Sequence, residues 1–299
     1  MRARMILAGI GTTLALFSAS PAQSAPLPSG TVNQGGISVL VQGSGTDIIL
    51  IPGFASSYEV WADLASRLRQ SHRLHLVKVA GFAGSPAVSD PDGKVVAPTA
   101  EAIAEYIRSQ RIKSPVIIGH SLGGEVALML GARHPDLVGR LMIVDAMPFY
   151  TLLFDPSATS ETAAPHAAAM RAAMLAATPE QAEAMQHASI ARLAKTEAVR
   201  PGLVAAGMNS DRKTMADAMY ELMVSDLRPE LGRIKVPVEV VYAYDLLYGV
   251  EASHVDAMFR NAYGSTPNIS FRRIDDSFHF IMLDQPELFA GAVIKFLNQ

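Results

Sequence analysis

The sequence predicts an α/β fold: a mostly parallel central sheet with helices on both faces and an inserted helical cap. Three features carry that expectation. Short apolar, β-branched runs recur and end at glycine or an acid; amphipathic stretches separate them; and one long Ala- and Met-rich segment interrupts the alternation.

At the N-terminus, Arg2 and Arg4 precede an apolar run from Met5 to Phe17, shorter than the ~20 residues a membrane span needs. Small residues follow, so residues 1–24 read as a signal peptide, cut after Ser20-Pro21-Ala22 or Ala22-Gln23-Ser24. An uncleaved anchor is the alternative reading of the same run. Either way the expectation is an exported protein, periplasmic or secreted, with no stable membrane span once the signal is removed.

The first part of the core, residues 25–146, contains four of the runs. Asp47 to Ile51 ends at Pro52-Gly53, Leu74 to Val79 ends at Gly81, Val116 to Ile118 ends at Gly119, and Leu141 to Val144 ends at Asp145. Residues 147–234 form the expected cap, with helical spacing at Met170/Met174 and Met215/Met219/Met223. Such a stripe usually packs against its neighbours, although methionines can also form an adaptable wall for an apolar substrate. The second part of the core, residues 235–299, holds Val238 to Tyr242 running toward Asp245, then a strand-like Ile269 to Ile274 and a terminal helix from Pro286 to Leu297. Ligands bind at the carboxyl ends of strands in open sheets of this kind, which makes the glycines and acids there functional candidates.

Composition narrows the classes. With 49% hydrophobic and 18% charged residues among 299, the chain can bury a sizeable core. A net charge of -3 without a basic cluster in the body of the chain argues against a nucleic-acid partner. There are no cysteines, which excludes disulfides, a thiolate metal site and a cysteine nucleophile.

Gly119-His120-Ser121-Leu122-Gly123-Gly124 follows an apolar strand and precedes the helical pattern Glu125 to Leu130. This is the setting of a nucleophile elbow, in which the serine sits on a strained strand-to-helix turn and glycines two before and two after let strand and helix approach. Ser121 is therefore the candidate nucleophile. A serine hydroxyl needs a base to take its proton. Of eight histidines, His279 is best placed, in Ser277-Phe278-His279-Phe280 between the last strand and the last helix. His120 reads as structural, and His134, His166, His187 and His254 lie in helical patterns. The third member should be a carboxylate, in the chain order serine, acid, histidine. Asp245 is the first choice and Asp145 could serve in its place, whereas Asp275 and Asp276 lie too close to His279 in sequence. Oxyanion donors would be the backbone N–H groups of Leu122 and of Phe54, where Gly53 lets the chain turn close to the site.

From about Ile37 to Gln299 the chain resembles the α/β-hydrolase superfamily. The resemblance rests on Ile51-Pro52-Gly53-Phe54, Gly81-Phe82-Ala83-Gly84-Ser85, the Ser121 elbow, Arg133-His134-Pro135-Asp136 and Phe278-His279-Phe280 with the segment to Glu287. It is similar to small capped enzymes such as enol-lactonases, carboxylesterases and cofactor-free perhydrolases. Two departures stand out: Pro52-Gly53 replaces the usual His-Gly, and Ala243-Tyr244-Asp245 leads into an apolar Leu246-Leu247-Tyr248.

The function expected is cleavage of a carboxylic ester, lactone or thioester of a small molecule through an acyl-enzyme on Ser121, with no cofactor and no metal required. Carbon-carbon bond hydrolysis and perhydrolysis would use the same residues. A catalytically silent ligand-binding protein of the same fold is the reading from another class.

Overall fold

The structure is a computed structural model that describes residues 30–88, 90 and 92–299. The signal-peptide assignment, residues 1–24, lies outside the described residues, and none of the described helices is long and apolar enough to cross a membrane.

One eight-stranded sheet organises the chain. The strands are β1 (Gly30–Gln34), β2 (Ile37–Gly43), β3 (Thr46–Ile51), β4 (His72–Val79), β5 (Val116–His120), β6 (Arg140–Val144), β7 (Val238–Tyr244) and β8 (Ile269–Asp275), in the spatial order β1-β2-β4-β3-β5-β6-β7-β8. The pairs β1 with β2 and β2 with β4 are antiparallel, and the rest are parallel. The helices are α1 (Ala62–Leu68), α2 (Val96–Ser109), α3 (Leu122–Arg133), α4 (Ser160–Ala176), α5 (Pro179–Leu193), α6 (Arg200–Met208), α7 (Arg212–Val224), α8 (Ala252–Ala262), α9 (Ile281–Asp284) and α10 (Pro286–Leu297).

The continuous apolar runs have a direct cause. Successive strand residues point to opposite faces, and here both faces are covered. Ile49 and Ile51 of β3 join the core shared with α2 and α3, while Ile48 and Leu50 join the core shared with α1 and α10. All four are fully buried, each contributing about 1.5–3 kcal/mol by leaving water.

Between β6 and β7, where the sequence points to a cap over residues 147–234, the chain forms α4 to α7, with α4 packed on α7 and α5 on α6. Thr159 and Thr178 start α4 and α5 through reciprocal capping boxes, and Pro179 occupies the first turn of α5, where its missing N–H costs nothing. Thr151 Oγ1 donates to the Met223 carbonyl at 2.7 Å, which ties the entry of this segment to its last helix.

Candidate active site

The elbow forms as its glycines require. A Cβ on Gly119 would come within 2.0 Å of the Gly123 carbonyl oxygen, and one on Gly123 within 2.4 Å of the Ile51 carbonyl oxygen. Only glycine at both places lets β5, α3 and β3 meet. Ser121 lies between them at φ 54°, ψ -122°, a conformation that costs about 1–3 kcal/mol and persists because the surrounding packing holds it. Its N–H donates to the Val144 carbonyl of β6 at 2.9 Å, so the serine is fastened beside the next strand end.

Asp145 occupies that strand end, at φ 45°. Its Oδ1 accepts from the Ala243 N–H at 2.9 Å, and its Oδ2 accepts from His279 Nδ1–H at 2.7 Å. The imidazole is thus oriented with Nε2 left over for another partner. Ser121, Asp145 and His279 all line one cavity of about 370 Å³. Among the described residues no hydrogen bond joins Ser121 Oγ to His279.

Asp245, the first choice from sequence, is not the partner of His279. Its Oδ2 accepts from Lys195 Nζ at 2.7 Å and its Oδ1 from the Leu247 N–H at 2.9 Å, so it caps the short turn Leu246–Tyr248 and neutralises a lysine. Burial pushes the Asp245 carboxyl up, but Lys195 and the Leu247 N–H outweigh it and hold the group below its usual range. The acid that reaches the ring comes one strand earlier, and the order serine, acid, histidine is kept.

The prospective oxyanion donors are the N–H groups of Leu122 and Phe54. Leu122 opens α3 directly after Ser121, and a Cβ on Gly53 would fall 3.0 Å from Ser121 Cβ, which places the Pro52–Phe54 loop against the serine. Neither the Leu122 nor the Phe54 N–H has a protein acceptor among the described residues. The Phe54 ring packs edge-on against Phe82, with centroids 5.6 Å apart.

His120 is fully buried, and its Nε2–H donates to the His279 carbonyl at 3.0 Å. Burial, and then the neighbouring His279 ring, keep it well below the usual imidazole range, so it serves as a neutral strut under the histidine loop. Sequence reasoning missed a second strut, Asp284. Its carboxylate accepts from the Phe278 N–H at 2.9 Å, from the Lys195 N–H at 3.0 Å and from the Thr196 N–H at 2.8 Å, joining the histidine loop to the end of α5. Its place in α9, five residues past His279, is the only signal the sequence offers.

Sequence reasoning also missed much of the cavity wall. Glu125, Tyr150, Tyr248 and Met258 line it, with the exposed Arg192 and His254 beside them. The methionine stripe does not: Met223 is buried, Met215 packs against the core, and none of Met170, Met174, Met215, Met219 and Met223 lines the cavity. Packing is the role the structure gives Met215 and Met223.

A parallel α/β sheet with a serine on a strained elbow, beside a histidine-aspartate pair, defines a class of protein. The chain belongs to the alpha/beta hydrolase family, whose model matches residues 48–292. It is similar to the pimeloyl-[acyl-carrier protein] methyl ester esterase of Aromatoleum aromaticum, 27% identical over 259 residues that cover 81% of this chain and 94% of that protein. The esterase of the same description from Yersinia enterocolitica is 24% identical, covering 85% and 93%. Among solved structures, the enol-lactonase from Burkholderia xenovorans LB400 superposes with a TM-score of 0.73 at 18% identity, covering 90% of this chain and 100% of that one, a likeness of fold.

Proposed function

We propose that the protein hydrolyses carboxylic esters, lactones or thioesters of small molecules through an acyl-enzyme on Ser121. The observation that carries this reading is the 2.7 Å hydrogen bond from His279 to Asp145 in the cavity that also holds the strained Ser121. His279 Nε2 takes the Ser121 proton as Oγ attacks the carbonyl carbon, and Asp145 stabilises the imidazolium that results. The Leu122 and Phe54 N–H groups receive the oxyanion, each worth about 3 kcal/mol in the transition state. As the tetrahedral intermediate collapses, His279 returns the proton to the leaving oxygen or sulfur. Water, activated by the same ring, then releases the acid.

Two similar proteins described as methyl ester esterases support this reading of the bond cleaved. The cavity volume suits short to medium acyl groups. The test is labelling by a fluorophosphonate probe together with turnover of a p-nitrophenyl ester series and lactones. Labelling should vanish in Ser121→Ala, and turnover in both Ser121→Ala and His279→Ala. Wild-type protein that neither labels nor turns over any ester would overturn the proposal. Export is the companion proposal, resting on Arg2, Arg4 and the apolar run behind them. N-terminal sequencing of protein recovered outside the cytoplasm should begin shortly after Ala22 or Ser24, and full-length protein held in the cytoplasm would refute it.

A further inference from the structure

Glu125 belongs to the first turns of α3, about one helical turn beyond Ser121 and on the same side of the helix. It lines the active-site cavity, yet only 2% of it is accessible to solvent, and its Oε2 is buried with no hydrogen-bond partner. Buried polar atoms nearly always find partners, so an acid left open against a ligand cavity is a group whose partner comes with the ligand. Nothing in the proposed chemistry uses it: His279 is oriented by Asp145, and the oxyanion donors are main-chain groups.

We infer that Glu125 is a specificity-determining hydrogen-bonding residue in the wall of the cavity, where its unpartnered Oε2 selects substrates whose acyl portion carries an uncharged oxygen function, a ketone or a hydroxyl. This rests on the ester-hydrolase reading of the same cavity. The surroundings favour the protonated carboxyl. Burial, and then the nearby Glu221, push the Glu125 carboxyl well above its usual range. Glu221 is itself held in place by accepting the N–H groups of Val95, Val96 and Ala97 at 2.6, 2.8 and 2.9 Å. The other ionisable groups whose charge is felt with that of Glu125 are the Tyr150 and Tyr263 phenols; the Tyr263 hydroxyl is committed to the Ala146 carbonyl at 2.7 Å. Among the described residues no cation is paired with Glu125. A protonated carboxyl carries one donor and spare acceptor capacity, which matches a ketone or hydroxyl and disfavours an anionic tail. Leu122, Met147 and Leu222 give the cavity apolar wall beside its polar members Tyr150, Tyr248, Arg192 and His254, so a hydrogen bond to Glu125 would discriminate between otherwise equal chains.

The experiment compares p-nitrophenyl hexanoate with its 3-oxo, 4-oxo and 5-oxo analogues. Wild-type protein should favour at least one oxo ester over hexanoate about tenfold in kcat/KM, the discrimination one hydrogen bond supplies. In Glu125→Leu that ratio should fall to about one, and in Glu125→Gln, which still donates, most of it should remain. A wild type without preference, or a Leu variant with the ratio unchanged, overturns the inference. If Glu125→Leu does not fold, the protonated-carboxyl stretch in the infrared spectrum at neutral pH decides: it must be present in wild type and missing from Glu125→Gln. If no ester is turned over, the hydrolase reading fails by itself, and the same ratio is read as Kd on Ser121→Ala protein by calorimetry, where equal affinities overturn the inference.

Discussion

Two aspartates close neighbouring parallel strands and meet opposite fates. Asp145, after β6, accepts from His279; Asp245, after β7, accepts from Lys195. Both are held by a backbone N–H as well, Ala243 for the first and Leu247 for the second. The difference lies in direction. Asp145 takes its N–H from the adjacent strand, which aims the carboxylate along the carboxyl edge of the sheet toward the histidine loop. Asp245 takes its N–H from two residues ahead in its own chain, an Asx-type turn that folds the carboxylate back toward the α5–α6 connection. Position at a strand end therefore nominates an acid, and the local hydrogen bond decides which partner it can reach.

The sharpest way to break this comparison is Asp145→Asn. Loss of the carboxylate frees the His279 tautomer and removes the charge that stabilises the imidazolium, so kcat for ester hydrolysis should fall about 10³–10⁴-fold with the fold intact by circular dichroism. If Asp245→Asn produced that loss instead, the assignment of the two acids would be reversed.

How much of this was legible in the sequence follows from where each interaction partner lies. Strands β3 to β7 could be read because burial on both faces makes them largely apolar runs. The strands β1 and β2 could not: GTVNQ is largely exposed, and ISVLVQG is partly exposed at the antiparallel edge, so neither has that pattern. Strand β8, ISFRRID at the other edge, is mostly half-buried and could be read from its alternation and its place before the histidine loop. The elbow was legible because its constraint is local, two glycines at fixed offsets from Ser121. His279 was legible from chain order and loop position. The choice of acid was not, since it depends on Lys195, 50 residues from Asp245 and delivered by a helical segment whose packing no local pattern encodes. The same reason hid Asp284, whose partners Phe278, Lys195 and Thr196 come together only when α9 meets the α5–α6 connection, and Glu125, whose neighbour Glu221 lies on α7.

Asp284 offers a smaller test of the idea that the histidine loop is held from both sides. Asp284→Ala strands three N–H groups, those of Phe278, Lys195 and Thr196, and should lower stability by about 2 kcal/mol in urea titrations. Because Phe278 adjoins His279, kcat should also drop, by about tenfold, with fluorophosphonate labelling slowed but not abolished. Unchanged labelling alongside lowered stability would make Asp284 a fold element alone.

The smallest effect belongs to Asp245, and it is best read against pH. Asp245→Asn keeps an acceptor for the Leu247 N–H but loses the charge facing Lys195, whose side chain is 39% exposed and so partly solvated. The expected cost is about 1 kcal/mol at pH 7, with hydrolysis within about threefold of wild type. The folded-state carboxyl lies below its ordinary 3.8, so its pairing contributes stability that is fully present above 3.8, where the carboxyl is ionised in the folded and unfolded chain alike, and that is lost as pH falls through the lower folded value. The stability gap between wild type and Asp245→Asn should therefore be widest near neutrality and close as the pH drops below 3.8. A gap that stayed constant down to that acidity would mean that shape or packing at residue 245, rather than its charge pairing with Lys195, separates it from Asp145.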